Sequence, residues 1–243
     1  MNASAILFTG GSGLLGGELR HLMPGALFPS HAEFDVTDYD QMTAYVTGRS
    51  VSLVVHAAAF TSPPRINEDP QRALAVNIIG TSNIVKLCIA GNMKLIYIST
   101  DYVFKGDLGN YKESDPVLPV NKYAWSKLGG ECAVRLYDKS LIIRTSFGPN
   151  DFPYEKAFVD QWTSRLTVSG FAARLVAVLD SDATGVLHIG GPRRTVYEYA
   201  TTISPDKRIT ELSLADVEFT APRDTSLDTS RYDSIVDGGQ QGG

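Results

Sequence analysis

Tyr123 and Lys127 lie four residues apart in the stretch Tyr123-Ala124-Trp125-Ser126-Lys127. On a helix, that spacing projects both from one face, one turn apart. A protonated lysine beside a phenol favours the phenolate, so such a tyrosine relays protons closer to neutrality than its ordinary pKa of about 10 allows. The pair suits giving a proton to a substrate oxygen or taking one away. Tyr-x-x-x-Lys also arises on amphipathic helices that have no chemical role. What the pair means therefore depends on the elements that position it.

The first of these is at the N-terminal end. The apolar run Ala5-Ile6-Leu7-Phe8 leads directly into Thr9-Gly10-Gly11-Ser12-Gly13-Leu14-Leu15-Gly16-Gly17. A strand, a glycine turn and a helix beginning near Ser12 form the context in which glycines cradle a pyrophosphate: the backbone approaches closely and free N–H groups point at the anion. Ala26-Leu27-Phe28 reads as a short second strand. A carboxylate at the end of such a strand, about 20 residues past the glycines, ordinarily engages the ribose hydroxyls. Here Pro29-Ser30-His31 follows, and Glu33 and Asp35 come only later. With no acid placed to repel a 2′-phosphate, the reading leans to NADPH, with NADH possible. His31 reads as a surface residue.

The chain has 243 residues, 43% of them hydrophobic, and a net charge of -5. That length supports a full core as one domain, or one domain with a small appendage. The mild charge, without a basic run, argues against a nucleic-acid partner. Cys88 and Cys132 fall in helix-like stretches and read as reduced, buried thiols, and no zinc spacing occurs, so no metal site is expected. The start lacks the basic region of a signal peptide, and no apolar run approaches the roughly 18 residues of a membrane span. The expectation is a soluble, cytoplasmic protein with no membrane partner.

Further along, residues 38–49 read as a helix capped by Thr37 or Asp38, and residues 51–56 as a buried parallel strand ending in His56-Ala57-Ala58-Ala59-Phe60-Thr61. Small residues at the carboxyl end of a central strand let a flat ligand lie against the backbone. His56 by itself reads as a core histidine. Ser62-Pro63-Pro64-Arg65 reads as a break, followed by a long helical pattern over 69–90. Within it Asn77 is either solvent-facing or a brace for the site. A strand over 94–99 ends in Ser99-Thr100-Asp101-Tyr102-Val103-Phe104, whose hydroxyls either meet a substrate carbonyl or cap a turn. Pro116 and Pro119 lead into the helix of Tyr123, and residues 141–146 form another strand. From Pro149 the pattern loosens: helices are expected over 158–163, 171–179 and 195–202, a strand over 185–189, a turn at Gly190-Gly191-Pro192 and a frayed tail over 237–243. The organisation read from this is an α/β, Rossmann-type doubly wound parallel sheet with a small C-terminal substrate-binding lobe: the dinucleotide-binding core and its catalytic helix over 1–148, a mixed substrate-binding part over 149–236 interleaved with that core, and a flexible tail over 237–243.

The glycine turn, Thr100 and the Tyr123/Lys127 pair, in this order, resemble the extended short-chain dehydrogenases/reductases. Ser99-Thr100-Asp101-Tyr102-Val103-Phe104, Tyr123 through Glu131, Ile143-Arg144-Thr145-Ser146, Asp160-Gln161, residues 185–189 and residues 222–229 resemble the dTDP-4-dehydrorhamnose reductase branch. The resemblance implies that Gly10, Gly13 and Gly16 cradle the cofactor pyrophosphate, that Leu14 and Leu15 also bind the cofactor, that Asp35 and Val36 lie by the adenine, and that Ala57, Ala58 and Ala59 line the cofactor. It implies a catalytic trio in which Thr100 orients the substrate oxygen, Tyr123 protonates it, and Lys127 lowers the phenol pKa and holds the nicotinamide ribose. It offers Phe60, Thr61, Asp101, Phe104, Gln161 and Arg223 as the nucleotide-sugar pocket, with Arg223 on the diphosphate. The activity implied is NAD(P)H-dependent reduction of a nucleotide-linked 4-keto-6-deoxy sugar by a monomer or homodimer. The alternatives are a nucleotide-sugar epimerase or dehydratase, and a non-catalytic NADP-binding regulatory subunit resembling the methionine adenosyltransferase beta subunit. The chain departs from the branch at residues 62–69, where an acidic, alanine-containing signature is usual, and in its compact stretch between Pro149 and Gly185.

Overall fold

The computed structural model describes residues 5–218 and 221–239. Two compact units interleave along the chain. The first comprises Met1–Ser99, Asn121–Ile143 and Asp182–Val186, and the second Thr100–Val120, Arg144–Ser181 and Leu187–Gly243. The chain leaves the first unit just past the carboxyl end of one strand and within the last residues of another, so the two parts alternate instead of following one another.

The first unit is built on parallel strands β1 (Ile6–Thr9), β2 (Leu53–His56), β3 (Lys94–Ile98) and β4 (Ser140–Thr145), and β5 (Gly185–Ile189) completes the sheet order β1-β2-β3-β4-β5. β1, β2 and β4 are buried along their whole length, as expected of near-continuous apolar strands covered on both faces. The segment expected as a second strand makes one parallel bridge, Leu7 to Leu27, on the side of β1 away from β2. The chain therefore runs from β1 to one side and returns on the other, so the crevice between the carboxyl ends of β1 and β2 is the switch point of a Rossmann-type sheet.

The helices of this unit are α1 (Leu14–Leu22), α2 (Tyr39–Val46), α3 (Pro63–Glu68), α4 (Pro70–Ala90) and α5 (Lys122–Val134). Asp38 caps α2 by accepting from the Gln41 N–H, and Asn121 caps α5 by accepting from the Ala124 N–H at 2.8 Å. The expected break at residues 62–65 is instead the start of α3, with proline in its first turn, where a missing N–H costs nothing. α4 holds a π-helical stretch at Leu74–Gly80. By length and composition alone α4 is apolar enough to cross a membrane, contrary to the expectation that no such run exists. Its buried side chains, among them Ile84, Val85, Leu87 and Cys88, join Leu7, Val54, Leu95 and Tyr97 in the core of this unit. Cys88 is buried as expected, whereas Cys132 is exposed, and both are free thiols.

The second unit carries three short strand pairs: Lys156–Phe158 with Thr210–Leu212, Trp162–Thr163 with Arg194–Thr195, and Phe147–Gly148 with Leu166–Thr167. The helix expected over 158–163 is absent. Aromatic and β-branched residues there fit a pleated, half-buried surface, and their backbone groups find partners distant in sequence. Helices α6 (Val168–Val176), α7 (Val196–Ile203) and α8 (Ser230–Gly239) complete the unit. α7 starts with a reciprocal capping box between Thr195 and Glu198. Its own small core gathers Phe152, Ala157, Val196, Tyr199, Ala200 and Ile209. Residues 190–192, expected as a turn, are irregular. Residues 237–239, expected as frayed tail, close α8, and the rest of that tail lies outside the described residues.

Candidate functional site

Residues expected to hold a cofactor meet in the first unit. Gly10 has φ +76°, and a Cβ there would stand 2.9 Å from the Ala58 backbone nitrogen. A Cβ at Gly16 would stand 2.4 Å from the Gly11 carbonyl oxygen. Both positions therefore require glycine. The turn closes through the Gly13 N–H donating to the Gly10 carbonyl at 2.9 Å, and α1 begins after Gly13, slightly later than the sequence suggests. Leu14 is exposed at the first position of α1, and Leu15 is buried beneath it.

A chain of hydrogen bonds ties this turn to the wall formed by residues 57–59. The Thr81 hydroxyl donates to the Asn77 carbonyl at 2.8 Å, so it accepts from His56 Nε2–H at 3.0 Å. His56 Nδ1 is then bare and accepts from the Thr9 hydroxyl at 2.7 Å. Thr9 Oγ1 in turn accepts from the Ala57 and Ala58 N–H groups at 3.2 and 3.1 Å. Burial, with a contribution from the nearby Lys127 charge, pushes the His56 pKa down to about 3, so the ring is neutral in this relay. His56 is a core histidine, as expected, and it also sets the strand ends in register.

Asn77 is 1% exposed, which decides between its two expected roles in favour of the brace. Its Oδ1 accepts from the Phe60 N–H at 2.8 Å, its Nδ2 donates to the Phe60 carbonyl at 2.9 Å, and the same amide donates to Ser126 Oγ at 2.8 Å. Ser126 Oγ donates onward to the Tyr123 carbonyl at 2.7 Å. The π-helical stretch thus places one amide to fix both the strand-end loop and the first turn of α5.

Tyr123 is half-buried on that turn, and Lys127 lies one turn on, buried at 3% exposure. The Lys127 ammonium sits 4.2 Å from the centre of the Tyr97 ring, and the Tyr97 hydroxyl donates to the Lys127 carbonyl at 3.2 Å. Burial lowers the Lys127 pKa to about 7 despite the opposing Glu131 charge. Gly130 leaves room for Tyr97: a Cβ there would lie 2.4 Å from its hydroxyl. Val36 is buried against Gly80, and the Asp35 carboxylate accepts from the Thr37 N–H and hydroxyl at 2.9 and 2.8 Å. Phe60 is half-buried, with Arg65 and Arg72 over its ring, and Thr61 is exposed. Sequence reasoning passed over Arg20. Its Nη2 donates to the Phe28 carbonyl at 2.8 Å and its guanidinium lies 4.8 Å over the Phe28 ring, at the end of the Leu27 segment. The available signal was its position on the exposed side of the helix that follows the glycine turn.

The second unit holds the remaining expected residues. The Thr100 hydroxyl accepts from the Tyr102 N–H at 3.2 Å and donates to Asp101 Oδ1 at 3.1 Å. Asp101 is 2% exposed and also accepts from the Thr225 hydroxyl at 2.5 Å, and burial raises its pKa to about 6. Asp101 thus has internal partners. Phe104, the other residue of this stretch offered for the sugar pocket, is fully buried, stacked on Tyr111 at 4.3 Å and edge-on to His188. A cavity of about 430 Å³ opens in this unit, lined by Tyr102, Phe152, Tyr154, Phe158, Gln161, Trp162, Arg165 and others. Gln161 lines it, with its amide donating to the Pro222 carbonyl at 2.9 Å. Arg223 is exposed and does not line it. Among the described residues no cluster of three or more potential metal ligands occurs.

A sequence profile described as the RmlD substrate binding domain matches residues 4–165, about two thirds of the chain. The chain belongs to this family. It is 29% identical to a probable low-salt glycan biosynthesis reductase, Agl14, of Haloferax volcanii, over 93% of this chain and 90% of that protein. It is 30% identical to a dTDP-4-keto-6-deoxy-D-glucose reductase of Streptomyces niveus, over 75% of this chain and 71% of that protein. Among solved structures, a hypothetical dTDP-4-dehydrorhamnose reductase of Sulfolobus tokodaii superposes with a TM-score of 0.84 at 29% identity, covering 95% of this chain and 94% of that one. A dTDP-4-dehydrorhamnose reductase of Bacillus anthracis, solved with NADP, gives a TM-score of 0.84 at 23% identity, covering 93% and 90%. The Rossmann-type fold and the short-chain dehydrogenase/reductase resemblance expected from the sequence both hold.

Proposed function

We propose that the protein is a cytoplasmic NADPH-dependent reductase of a nucleotide-linked 4-keto-6-deoxy sugar. The observation that carries the reading is the fixed placement of Tyr123 and Lys127: one face of α5, one turn apart, with that turn tied through Ser126 and Asn77 to the loop beyond residues 57–59. Gly10 and Gly16, where a side chain would collide with backbone, fit a bound dinucleotide pyrophosphate. When bound, the reduced nicotinamide supplies the hydride. Tyr123 gives the proton to the substrate oxygen. Lys127, when charged, would stabilise the phenolate that remains and would hold the nicotinamide ribose. Relatives named dTDP-4-keto-6-deoxy-D-glucose reductase and dTDP-4-dehydrorhamnose reductase support the substrate class. Arg20, with no acid in the Leu27 to Ser30 segment, supports a 2′-phosphate and therefore NADPH.

The test follows NADPH absorbance with dTDP-linked 4-keto-6-deoxy sugars. Tyr123→Phe, which removes only the proton donor, is expected to lower turnover by two or more orders of magnitude while NADPH binding stays within about twofold. Undiminished turnover in that variant would refute the assignment.

A further inference from the structure

On the face of α5 that carries Tyr123 and Lys127, the position one turn further on is Glu131. Side chains four apart on a helix start about 5–6 Å from one another, so the three form one row. Glu131 is fully buried. Its Oε1 accepts from the Ser99 hydroxyl at 2.6 Å, and the Ser99 N–H donates to the Ile143 carbonyl at 2.7 Å, so the ends of β3 and β4 together fix where the carboxylate stands. Lys127 is buried one turn away, with its ammonium over the Tyr97 ring.

The groups that face Lys127 are the Tyr97 phenol from β3, the neutral His56 ring from β2, and Tyr123 and Glu131 from α5 itself. Of these, Glu131 carries the negative charge. Cations on neighbouring elements are Arg65 of α3 and Arg72 of α4, over the Phe60 ring, and Arg144 of β4, over the Phe104 ring. An anion one turn from a buried ammonium offsets part of its desolvation, and the same anion opposes ionisation of a nearby phenol. Burial, with the Glu131 charge adding to it, holds the Tyr97 phenol well above its ordinary pKa, so Tyr97 keeps its proton and donates to the Lys127 carbonyl. Of the two phenols on this row, Tyr123 is then the one left to release a proton.

We infer that Glu131 is a positioning residue for the reaction proposed above: its buried carboxylate, set by Ser99, holds Lys127 as the ammonium next to Tyr123. The inference rests on the reductase reading for what that ammonium then does. Glu131→Gln keeps an acceptor for the Ser99 hydroxyl and removes the charge. Glu131→Asp keeps the charge and withdraws it by one methylene.

The experiment labels the lysine side chains of the full chain with 13C and follows the Lys127 resonance, identified by its loss in Lys127→Arg, against pH without cofactor. The wild-type midpoint is expected at about 7. Glu131→Gln should lower it by about one unit or more, and Glu131→Asp should fall between. The alkaline limb of kcat/KM for NADPH-dependent reduction of a keto sugar should move with the resonance, so that Glu131→Gln loses about tenfold at pH 8 and little at pH 5. Thermal melting establishes that each variant is folded, and if Glu131→Gln is not, Glu131→Asp decides by the same comparison. An unmoved midpoint in a folded variant overturns the inference, as does a loss of turnover that is equal at every pH, the result of a carboxylate that only supports the fold. A midpoint that moves in a protein that reduces no keto sugar leaves Glu131 in charge of the ammonium and removes the reductase reading.

Discussion

Asn77 Nδ2 donates to Ser126 Oγ across 2.8 Å, and Ser126 Oγ donates onward to the Tyr123 carbonyl, so a π-helical turn in one helix fixes the turn that carries Tyr123 in another. The same side chain satisfies both backbone groups of Phe60. Asn77→Leu keeps the volume but strands a buried N–H, a carbonyl and a hydroxyl. The expected cost is about 2–4 kcal/mol, each lost partner contributing on the order of 1 kcal/mol or more. Urea denaturation measures it. Asn77→Asp retains the acceptor for the Phe60 N–H and loses the two donors, so it should fall between wild type and leucine. A leucine variant as stable as wild type would show that the brace is idle.

Lys127 makes the proposed reaction pH-dependent. Its pKa in the folded protein is about 7, against 10.5 in the unfolded chain, because burial disfavours the ammonium. Without cofactor, the charge that assists Tyr123 is therefore lost as pH rises through about 7. The expected kcat/KM profile falls on the alkaline side with an apparent pKa near 7, a limb absent from any activity left in Lys127→Arg. Stability runs the other way. Between about 7 and 10.5 the unfolded chain binds the proton that the folded one has released, so stability rises with pH over that window. Lys127→Met should accordingly melt above wild type at pH 6, and the difference should shrink by pH 10. An equal difference at both values would contradict the burial argument.

The parts of this arrangement that are local in sequence could be read from it. Strand, glycines and helix at residues 5–19 act on adjacent backbone, and Tyr123 with Lys127 needs only helical spacing. His56 was recognisable as a core residue, but its relay from Thr81 to Thr9 joins three segments of chain that sequence spacing does not bring together. Asn77 remained ambiguous for the same reason, since its partners lie 17 and 49 residues away. Residues 158–163 misled because their strands pair with residues 194–195 and 210–212, contacts that override a local helical reading. Asp101 and Phe104 entered through the family resemblance alone; that both side chains are buried, beside a 3-10 turn at Asp101–Val103, is a tertiary fact that the sequence does not carry.

Asp101 gives the second unit its own pH dependence. Burial raises its pKa to about 6, above the value near 3.8 of the unfolded chain, and the hydrogen bonds from Thr225 and Thr100 offset only part of this. Between about 4 and 6 the folded state holds a proton that the unfolded state has lost. The associated stability is complete below about 4 and disappears as pH rises through 6, a span of roughly 2 to 3 kcal/mol. Asp101→Asn keeps an acceptor for Thr225 and carries no charge, so melting followed from pH 4 to 7 should lose this component. A wild-type and variant pair with parallel profiles would place the titration elsewhere.

Arg20 is where the cofactor preference should be decided. It reaches from α1 to the Phe28 carbonyl and lies over the Phe28 ring, so its guanidinium stands at the end of the segment that flanks β1, where the adenosine ribose of a dinucleotide is expected. A 2′-phosphate there would gain a charge-assisted contact that a 2′-hydroxyl does not need. Arg20→Ala is expected to raise the Kd for NADPH about tenfold and leave NADH within about twofold, and Arg20→Glu should invert the preference through repulsion. The side chain is exposed, so neither change should disturb folding by more than about 1 kcal/mol. Fluorescence titration of both cofactors against the three proteins settles the point: equal losses for NADPH and NADH would mean that Arg20 supports the glycine turn through its contact with Gly11 and reads nothing on the ribose.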